Sequence, residues 1–372
     1  MAVGASSLEN KTLAGELVRQ KDTRKLPQSG VNKILVRGTN WIGDAILTLP
    51  ALSSLRNTYP QARICILVKP WVADIFRLCP LVDEVIVYQS PGIHEGIFGK
   101  RRLARELKAQ GFDVAVLLQN AMEAAIIARL SGIPVRAGYN TDVRSCLLSH
   151  PVVRTKAIKK VHQSRYYLAM VQSLGCGPPD EGPFLKLHGE DEQNAAKVLQ
   201  DLGIADDQLL IGMAPGAAYG PAKRWLPDRF GALAEKFREE LGFTTILFGS
   251  AGDRETTRDV QRHSKYPLYD LAGITDLRTA VALMARCVLV ISNDSGLMHV
   301  AGALNVPTIA IFGSTNPLTT APMGTKNVII YNKTNCSPCL RETCPTDFHC
   351  MESISTLSVY NQAKAILTNK PH

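Results

Sequence analysis

The chain has 372 residues, 45% of them hydrophobic and 20% charged, with a formal net charge of +9. Domains usually take roughly 100–200 residues, so two ordinary globular domains are expected. The positive excess favours an anionic partner, whether nucleic acid, a membrane surface or an acidic substrate, although on its own it equally serves solubility. A bilayer span is excluded: it needs about 18 uncharged apolar residues, and the longest candidate, around Ala280–Ser292, is interrupted by Arg286.

The first thirty residues are polar and mixed in charge, without the apolar core of a secretory leader, and read as a disordered extension of a cytoplasmic protein. From Lys33 onward, short β-rich runs alternate with longer amphipathic ones. Strands are expected at Lys33–Arg37, Ile64–Val68, Glu84–Tyr88 and Val114–Leu118. Helices are expected at Asp44–Thr58, Pro70–Leu78, Phe98–Ala109 and Ala121–Leu130. Gly175-Cys176-Gly177-Pro178-Pro179 is a breaker cluster, and Glu190–Leu202 reads as a linking helix. The alternation then resumes, with strands at Leu209–Ala214, Thr244–Phe248, Val288–Ser292 and Thr308–Phe312. Its helices are Asp228–Leu241, Glu255–His263, Leu277–Ala285 and Gly296–Leu304, and a terminal helix follows near Ser355–Thr368. Such alternation implies βαβ units, parallel sheets and an α/β class. The expected organisation is an N-terminal Rossmann-like domain over 31–182, a second over 205–350, and a C-terminal helix within 351–372.

In open α/β sheets ligands bind outside the carboxyl ends of the strands. Four post-strand segments therefore carry the candidate chemistry. The first, RGTNWIGDAILTLP, has the glycine spacing of a P-loop at Gly38 and Gly43, but continues with Asp44 where a P-loop has lysine. Asp44 either complements the helix dipole or projects a carboxylate into a site. The second, APGAAYGPAKRWLP, keeps its backbone accessible and adds Lys223 and Arg224, which suits a diphosphate clamp or simply a solvated loop. In the third, ISNDSGLMHVA, Ser295 and Gly296 open a helix whose free N–H groups favour an anion. Asp294 suits an N-cap, and His299 lies one turn on. The fourth, FGSAGD, offers Asp253 as a ribose-binding acid or a turn cap.

Taken together, GTNWIGDAILTLPALSSLR, MAPGAAYGPAKRWLPDRF and ISNDSGLMHVAGALNVPTIAIFGSTNP resemble the bacterial lipopolysaccharide heptosyltransferases of glycosyltransferase family 9, most of all the heptosyltransferase II type. The resemblance runs from about Lys33 to the C-terminus. It implies a GT-B fold, two facing Rossmann-like domains with the site between them. It also implies inverting transfer of heptose from ADP-L-glycero-D-manno-heptose to the inner-core heptose of a Kdo-lipid A acceptor, with no metal cofactor for catalysis. The acceptor would bind the first domain and the ADP-sugar the second. Residue by residue, it places the base on Asp44, the phosphate contact on Lys223, the donor motif on Asp294, Ser295, Gly296 and His299, and loosely a ribose acid on Asp253. The positive charge then has a partner in the phosphates and carboxylates of such an acceptor: the basic runs Lys100-Arg101-Arg102 and Lys156, Lys159 and Lys160, in the domain expected to receive it, are expected to help hold it at the inner-leaflet membrane surface, with the enzyme at most peripheral.

Competing readings are a family 9 transferase that adds the first heptose or another sugar, a tandem-Rossmann oxidoreductase, and a nucleic-acid binder. The oxidoreductase calls for a GxGxxG run, which is missing, and the nucleic-acid binder for recognition stretches that are not found. Nine cysteines in a reducing compartment argue against a disulfide framework. Four of them, Cys336, Cys339, Cys344 and Cys350, fall in one short segment. A structural zinc site, an iron–sulfur centre and free thiols all remain open for that set.

Overall fold

The structure is a computed structural model, and it describes residues 23–182 and 184–368. The chain divides into two compact units, Met1–Glu181 and Gly182–His372. Each unit is built on one six-stranded sheet, and every strand pairing is parallel.

The first unit runs β1 (Lys33–Arg37), α1 (Ile42–Leu47), α2 (Leu49–Thr58), β2 (Arg63–Val68), α3 (Ala73–Arg77), β3 (Glu84–Val87), α4 (Gly96–Ala109), β4 (Val114–Leu117), α5 (Met122–Leu130), β5 (Val135–Tyr139), β6 (His150–Val152) and α6 (Gln163–Ser173). The sheet order is β3-β2-β1-β4-β5-β6. A parallel sheet covered on both faces needs continuous apolar strands. Ile34, Leu35 and Val36 of β1 and Ile64 to Val68 of β2 are accordingly at most 1% exposed.

The single helix expected over Asp44–Thr58 is instead two helices that meet at Thr48. Pro50 sits at the start of the second, and without an N–H it cannot continue the hydrogen-bond ladder of the first. The Pro70–Leu78 segment likewise opens with a tight 3₁₀ turn, Pro70–Val72, before α3. Of the expected extension over 1–30, residues 1–22 lie outside the described residues. Residues 23–30 are not free: Leu26 is buried, its N–H donates to the Leu174 carbonyl, and Tyr59 Oη donates to the Pro27 carbonyl.

The second unit begins with α7 (Gly189–Asp201). It then follows β7 (Leu210–Ala214), α8 (Pro227–Leu241), β8 (Thr244–Leu247), α9 (Arg254–Arg262), β9 (Tyr269–Asp270), α10 (Leu277–Ala285), β10 (Cys287–Asn293), α11 (Gly296–Ala303), β11 (Thr308–Phe312), α12 (Pro317–Thr320), β12 (Asn327–Tyr331), α13 (His349–Glu352) and α14 (Thr356–Thr368). The sheet order is β12-β11-β10-β7-β8-β9. Renumbered within its own unit this is 3-2-1-4-5-6 read from the other edge, so both units share the strand order of dinucleotide-binding folds. The order reverses between β1 and β4 in one unit and between β7 and β10 in the other. Those are the crevices where such sheets take ligands.

The helix read as a linker, now α7, packs within the second unit, where its buried Asp191 pairs with Arg278 of α10. The terminal helix is equally integral: Val359, Tyr360 and Ala363 of α14 join the core with Phe230 and Phe237 of α8. Trp225 is the largest fully buried side chain. Its ring stacks edge-on against Phe230 at 5.0 Å and its indole N–H donates to the Ile354 carbonyl at 3.0 Å. Trp225→Ala should therefore lower unfolding stability by about 3–5 kcal/mol, the range for truncating a buried aromatic, read as a shifted midpoint in urea denaturation.

Candidate functional site

Strand β1 ends in Arg37, whose side chain is 2% exposed. Its guanidinium donates to the carbonyls of Gly38 and Leu67 and to Asn40 Oδ1. It therefore ties down the loop that carries the first motif. Burial is the main cause that pushes the Arg37 pKa down to about 10, still high enough to keep its charge. Gly38 is required sterically, since a Cβ there would stand 2.6 Å from Val68 Cγ1 of the neighbouring strand. Gly43, by contrast, lies within α1 and not in the loop.

Asp44 occupies the first turn of α1, half-buried. It acts electrostatically on Tyr167 of α6, whose phenol is driven well above its usual range by burial first and by the Asp44 carboxylate second. Tyr167 belongs to an aromatic cluster, with Tyr166 at 5.3 Å and Tyr139 at 4.5 Å from Tyr166. Asn120, just after β4, donates to Tyr166 Oη at 2.8 Å. The switch point of the first unit thus gathers a carboxylate, an amide and phenols. Sequence reading found only the carboxylate, because no helix was expected over Gln163–Ser173, where α6 carries the phenols.

A second polar group sits at the ends of β1, β2 and β3. Lys69 Nζ stands 3.9 Å from the centre of the Tyr88 ring and donates to the Ser90 carbonyl. Tyr88 Oη donates to Glu123 Oε1 at 2.9 Å, and Glu123 Oε2 pairs with Lys100 at 2.7 Å. Lys100, read as part of a basic run, is therefore partly neutralised, as is Arg102 by Glu106 at 3.0 Å, and both Arg101 and Arg102 are exposed.

In the second unit the clamp loop after β7 ends in a 3₁₀ turn, Pro221–Lys223. Lys223 Nζ donates to Asp294 Oδ2 at 2.7 Å, with the two side chains 15% and 4% exposed. The same oxygen accepts from Thr315 Oγ1 at 2.6 Å, and the Lys223 ammonium lies 5.1 Å from the centre of the Tyr219 ring. Asn293 holds the loop at both ends, donating to the Pro215 carbonyl at 2.6 Å and accepting from the Trp225 N–H at 3.0 Å. The N-cap of α11 is Ser295, and Gly296 is its first helical residue. Asp294, read as an N-cap from its sequence position, is instead committed to Lys223 and Thr315. Ser295 Oγ lies 3.2 Å from Ser292 Oγ. His299 is buried in α11. The β7–β10 switch point thus presents a held ammonium beside a helix N-terminus, an arrangement that receives an anion.

Asp253 borders this loop. A Cβ on Gly216 would fall 2.2 Å from Asp253 Oδ1, so glycine is needed for the two loops to meet. Its other oxygen accepts from the Ser250 N–H at 2.9 Å and Oγ at 2.7 Å, the capping role weighed from the sequence.

The four clustered cysteines are free thiols, with Cys350 buried and Cys336 exposed. The Cys350 thiol is pushed up by burial first and then by the nearby charges of Cys336, Cys339 and Cys344. Yet no group of three or more Cys, His, Asp or Glu among the described residues is arranged to hold a metal. The backbone of this segment contacts the clamp loop. The Leu340 carbonyl accepts from Tyr219 Oη at 2.9 Å, the Glu342 carbonyl accepts from the Ala222 N–H at 3.0 Å, and the Leu340 N–H donates to the Ser314 carbonyl at 2.8 Å. Gly220 packs so tightly here that a Cβ would lie 2.4 Å from the Glu342 carbonyl oxygen. The hydroxyl of Thr315 and the ring of Tyr219 were invisible as site residues, since only the fold brings β11 and the cysteine segment to Lys223.

The family model for glycosyltransferase family 9 (heptosyltransferase) matches residues 100–349. The chain belongs to glycosyltransferase family 9. It is 34% identical to the lipooligosaccharide heptosyltransferase 2 of Haemophilus ducreyi over 80% of this chain and 88% of that protein. Among solved structures, E. coli ADP-heptose lps heptosyltransferase II superposes with a TM-score of 0.77 at 29% identity, covering 90% of this chain and 98% of that one. The glycosyl transferase family 9 structure from Veillonella parvula gives a TM-score of 0.83 at 25% identity, covering 93% and 100%. This glycosyltransferase accordingly has the two-unit α/β organisation of the GT-B class. A side-chain change follows from the Lys223 geometry. Thr315→Val removes the hydroxyl that shares Asp294 Oδ2 with Lys223 and should lower unfolding stability by about 1 kcal/mol, as expected for one hydrogen bond, read as a shifted midpoint in urea denaturation.

Proposed function

We propose that this family 9 glycosyltransferase is an inverting heptosyltransferase of the heptosyltransferase II type. It moves L-glycero-D-manno-heptose from ADP-heptose to the inner-core heptose of a Kdo-lipid A acceptor, on the cytoplasmic face of the inner membrane. The observation that carries this reading is the Lys223 ammonium, held by Asp294, whose carboxylate Thr315 also bonds, beside the N-terminus of α11. Likeness to heptosyltransferase 2 proteins over four-fifths of the chain supports the sugar and the acceptor class.

In the proposed mechanism, the acceptor hydroxyl attacks the anomeric carbon on the face opposite the ADP. Asp44 takes the hydroxyl proton as general base. The C–O bond to the β-phosphate breaks, and the charge that develops on the diphosphate is met by Lys223 and by the N–H groups at Ser295 and Gly296. Asp253, at the edge of the clamp loop, is assigned to the ribose through the carboxylate oxygen that faces Gly216. His299, one turn into α11, is assigned to the donor side. Lys223 serves better than a mobile surface lysine because its position is set before the donor arrives, so little ordering remains to be done at the transition state.

The exposed cations Arg101, Arg102, Lys156, Lys159 and Lys160 supply the attraction for the acceptor's phosphates and for an anionic leaflet. No helix among the described residues is long and apolar enough to cross a membrane, so the attachment proposed is peripheral.

Asp44→Asn should leave ADP-heptose binding intact and lower kcat by about 10²–10⁴, the range for losing a general base. Near-normal turnover in that variant would remove Asp44 from the mechanism. Lys223→Ala should weaken ADP binding in calorimetry by about tenfold or more, because it deletes the charge and strands a buried carboxylate. Unchanged affinity would place Lys223 outside the phosphate site.

A further inference from the structure

We propose that the N-terminal tip of α4 is a membrane wedge, which inserts Ile97 and Phe98 into an anionic bilayer surface. The inference rests on the peripheral attachment proposed above and assigns it a contact that basic residues alone do not provide.

The turn before α4 is tightly held. The Gln89 N–H donates to His94 Nδ1 at 3.1 Å and the His94 N–H returns to the Gln89 carbonyl at 2.9 Å. The Glu95 N–H donates to the Gly92 carbonyl at 2.9 Å. His94 is 3% exposed, and its Nε2 lies 3.0 Å from Glu106 Oε2, further along α4. Gly99 packs against the turn so closely that a Cβ would stand 2.3 Å from the His94 carbonyl carbon. This anchored turn nevertheless holds three large apolar side chains in water: Ile93 at 48%, Ile97 at 70% and Phe98 at 81% exposure.

Single exposed apolar residues are ordinary. Three within six positions, on a turn pinned by a buried histidine, form a patch of the kind that meets a partner. The rest of the helix names the partner. Arg101, Arg102, Arg105 and Lys108 are exposed on α4 behind the tip. The one acid of the helix, Glu106, is already engaged by Arg102 and His94. An apolar tip followed by a basic face is the layout of an interfacial helix, with the apolar end below the headgroups and the cations among the lipid phosphates. A second copy of this chain fits poorly, because pairing two such faces would bring like charges together. A zwitterionic surface would leave the cations unmatched.

The test is vesicle flotation of the full-length protein at low salt, with phosphatidylglycerol–phosphatidylcholine vesicles against phosphatidylcholine alone. The unmodified chain should float with the anionic vesicles and be released by salt. Ile97→Ser with Phe98→Ser should reduce that partition by about tenfold or more, since two buried apolar side chains are lost. The thermal midpoint and ADP affinity of this double variant should stay unchanged. In Phe98→Trp, emission relative to the unmodified chain should move to the blue when anionic vesicles are added. The proposal is overturned if the unmodified chain ignores anionic vesicles, if the double variant floats as well as the unmodified chain, or if the emission of the Phe98→Trp variant does not move. Loss of self-association in the double variant by analytical ultracentrifugation, without vesicle binding in the unmodified chain, would overturn it in favour of a dimer. Donor binding is read separately by calorimetry, so failure of the wedge and failure of the transferase reading give different results.

Discussion

One buried ion pair organises the second unit of this protein. Taking an ammonium and a carboxylate out of water costs several kcal/mol each, and their attraction repays it only when geometry and further hydrogen bonds are good. Lys223 and Asp294 meet that condition because four chain segments converge on them. The loop after β7 carries Lys223 and Tyr219, the end of β10 carries Asp294, the end of β11 carries Thr315, and the cysteine segment closes over Tyr219 and Ala222. Losing any one partner leaves a charge short of its compensation. The pair therefore links the position of the clamp to the folding of the whole crest of the sheet.

The first unit uses the same strand order with different chemistry at its switch point. Its switch point presents a half-buried carboxylate at the head of a short helix, with a phenol cluster on α6 behind it. Its cations lie to one side, with Arg37 spent on fixing the glycine loop and Lys69 on the Tyr88 ring. The absence of a lysine at position 44 then has a physical sense. A lysine there would already be protonated and could not accept a proton, whereas an aspartate at the same turn can. One unit presents a held ammonium at its switch point, and the other a carboxylate.

Much of this was legible in the chain. The strands at Lys33–Arg37 and Thr308–Phe312 and the helix at Leu277–Ala285 appear with the boundaries read from hydrophobic pattern, because central parallel strands are apolar throughout and their flanking helices keep a clear period. The weaker elements escaped detection for equally physical reasons. β6 contains Pro151, which only an edge strand tolerates, β9 is two residues long, and Arg136 and Gly138 break the apolar run of β5. The long helix at Asp44–Thr58 was read through Pro50, where the backbone loses a donor and restarts.

The sequence by itself determined the α/β class, the tandem units, the family and the residues after each central strand, since all of these are written in local periodicity and short motifs. Which of those residues act on one another was decided only by the tertiary structure. Asp294 and Thr315, or Tyr219 and Leu340, are far apart in the chain and meet because parallel β order places strand ends side by side. The cysteine spacing illustrates the limit most clearly. Local spacing gives four cysteines in one short segment, but only the fold shows that the backbone between them holds the clamp around Lys223.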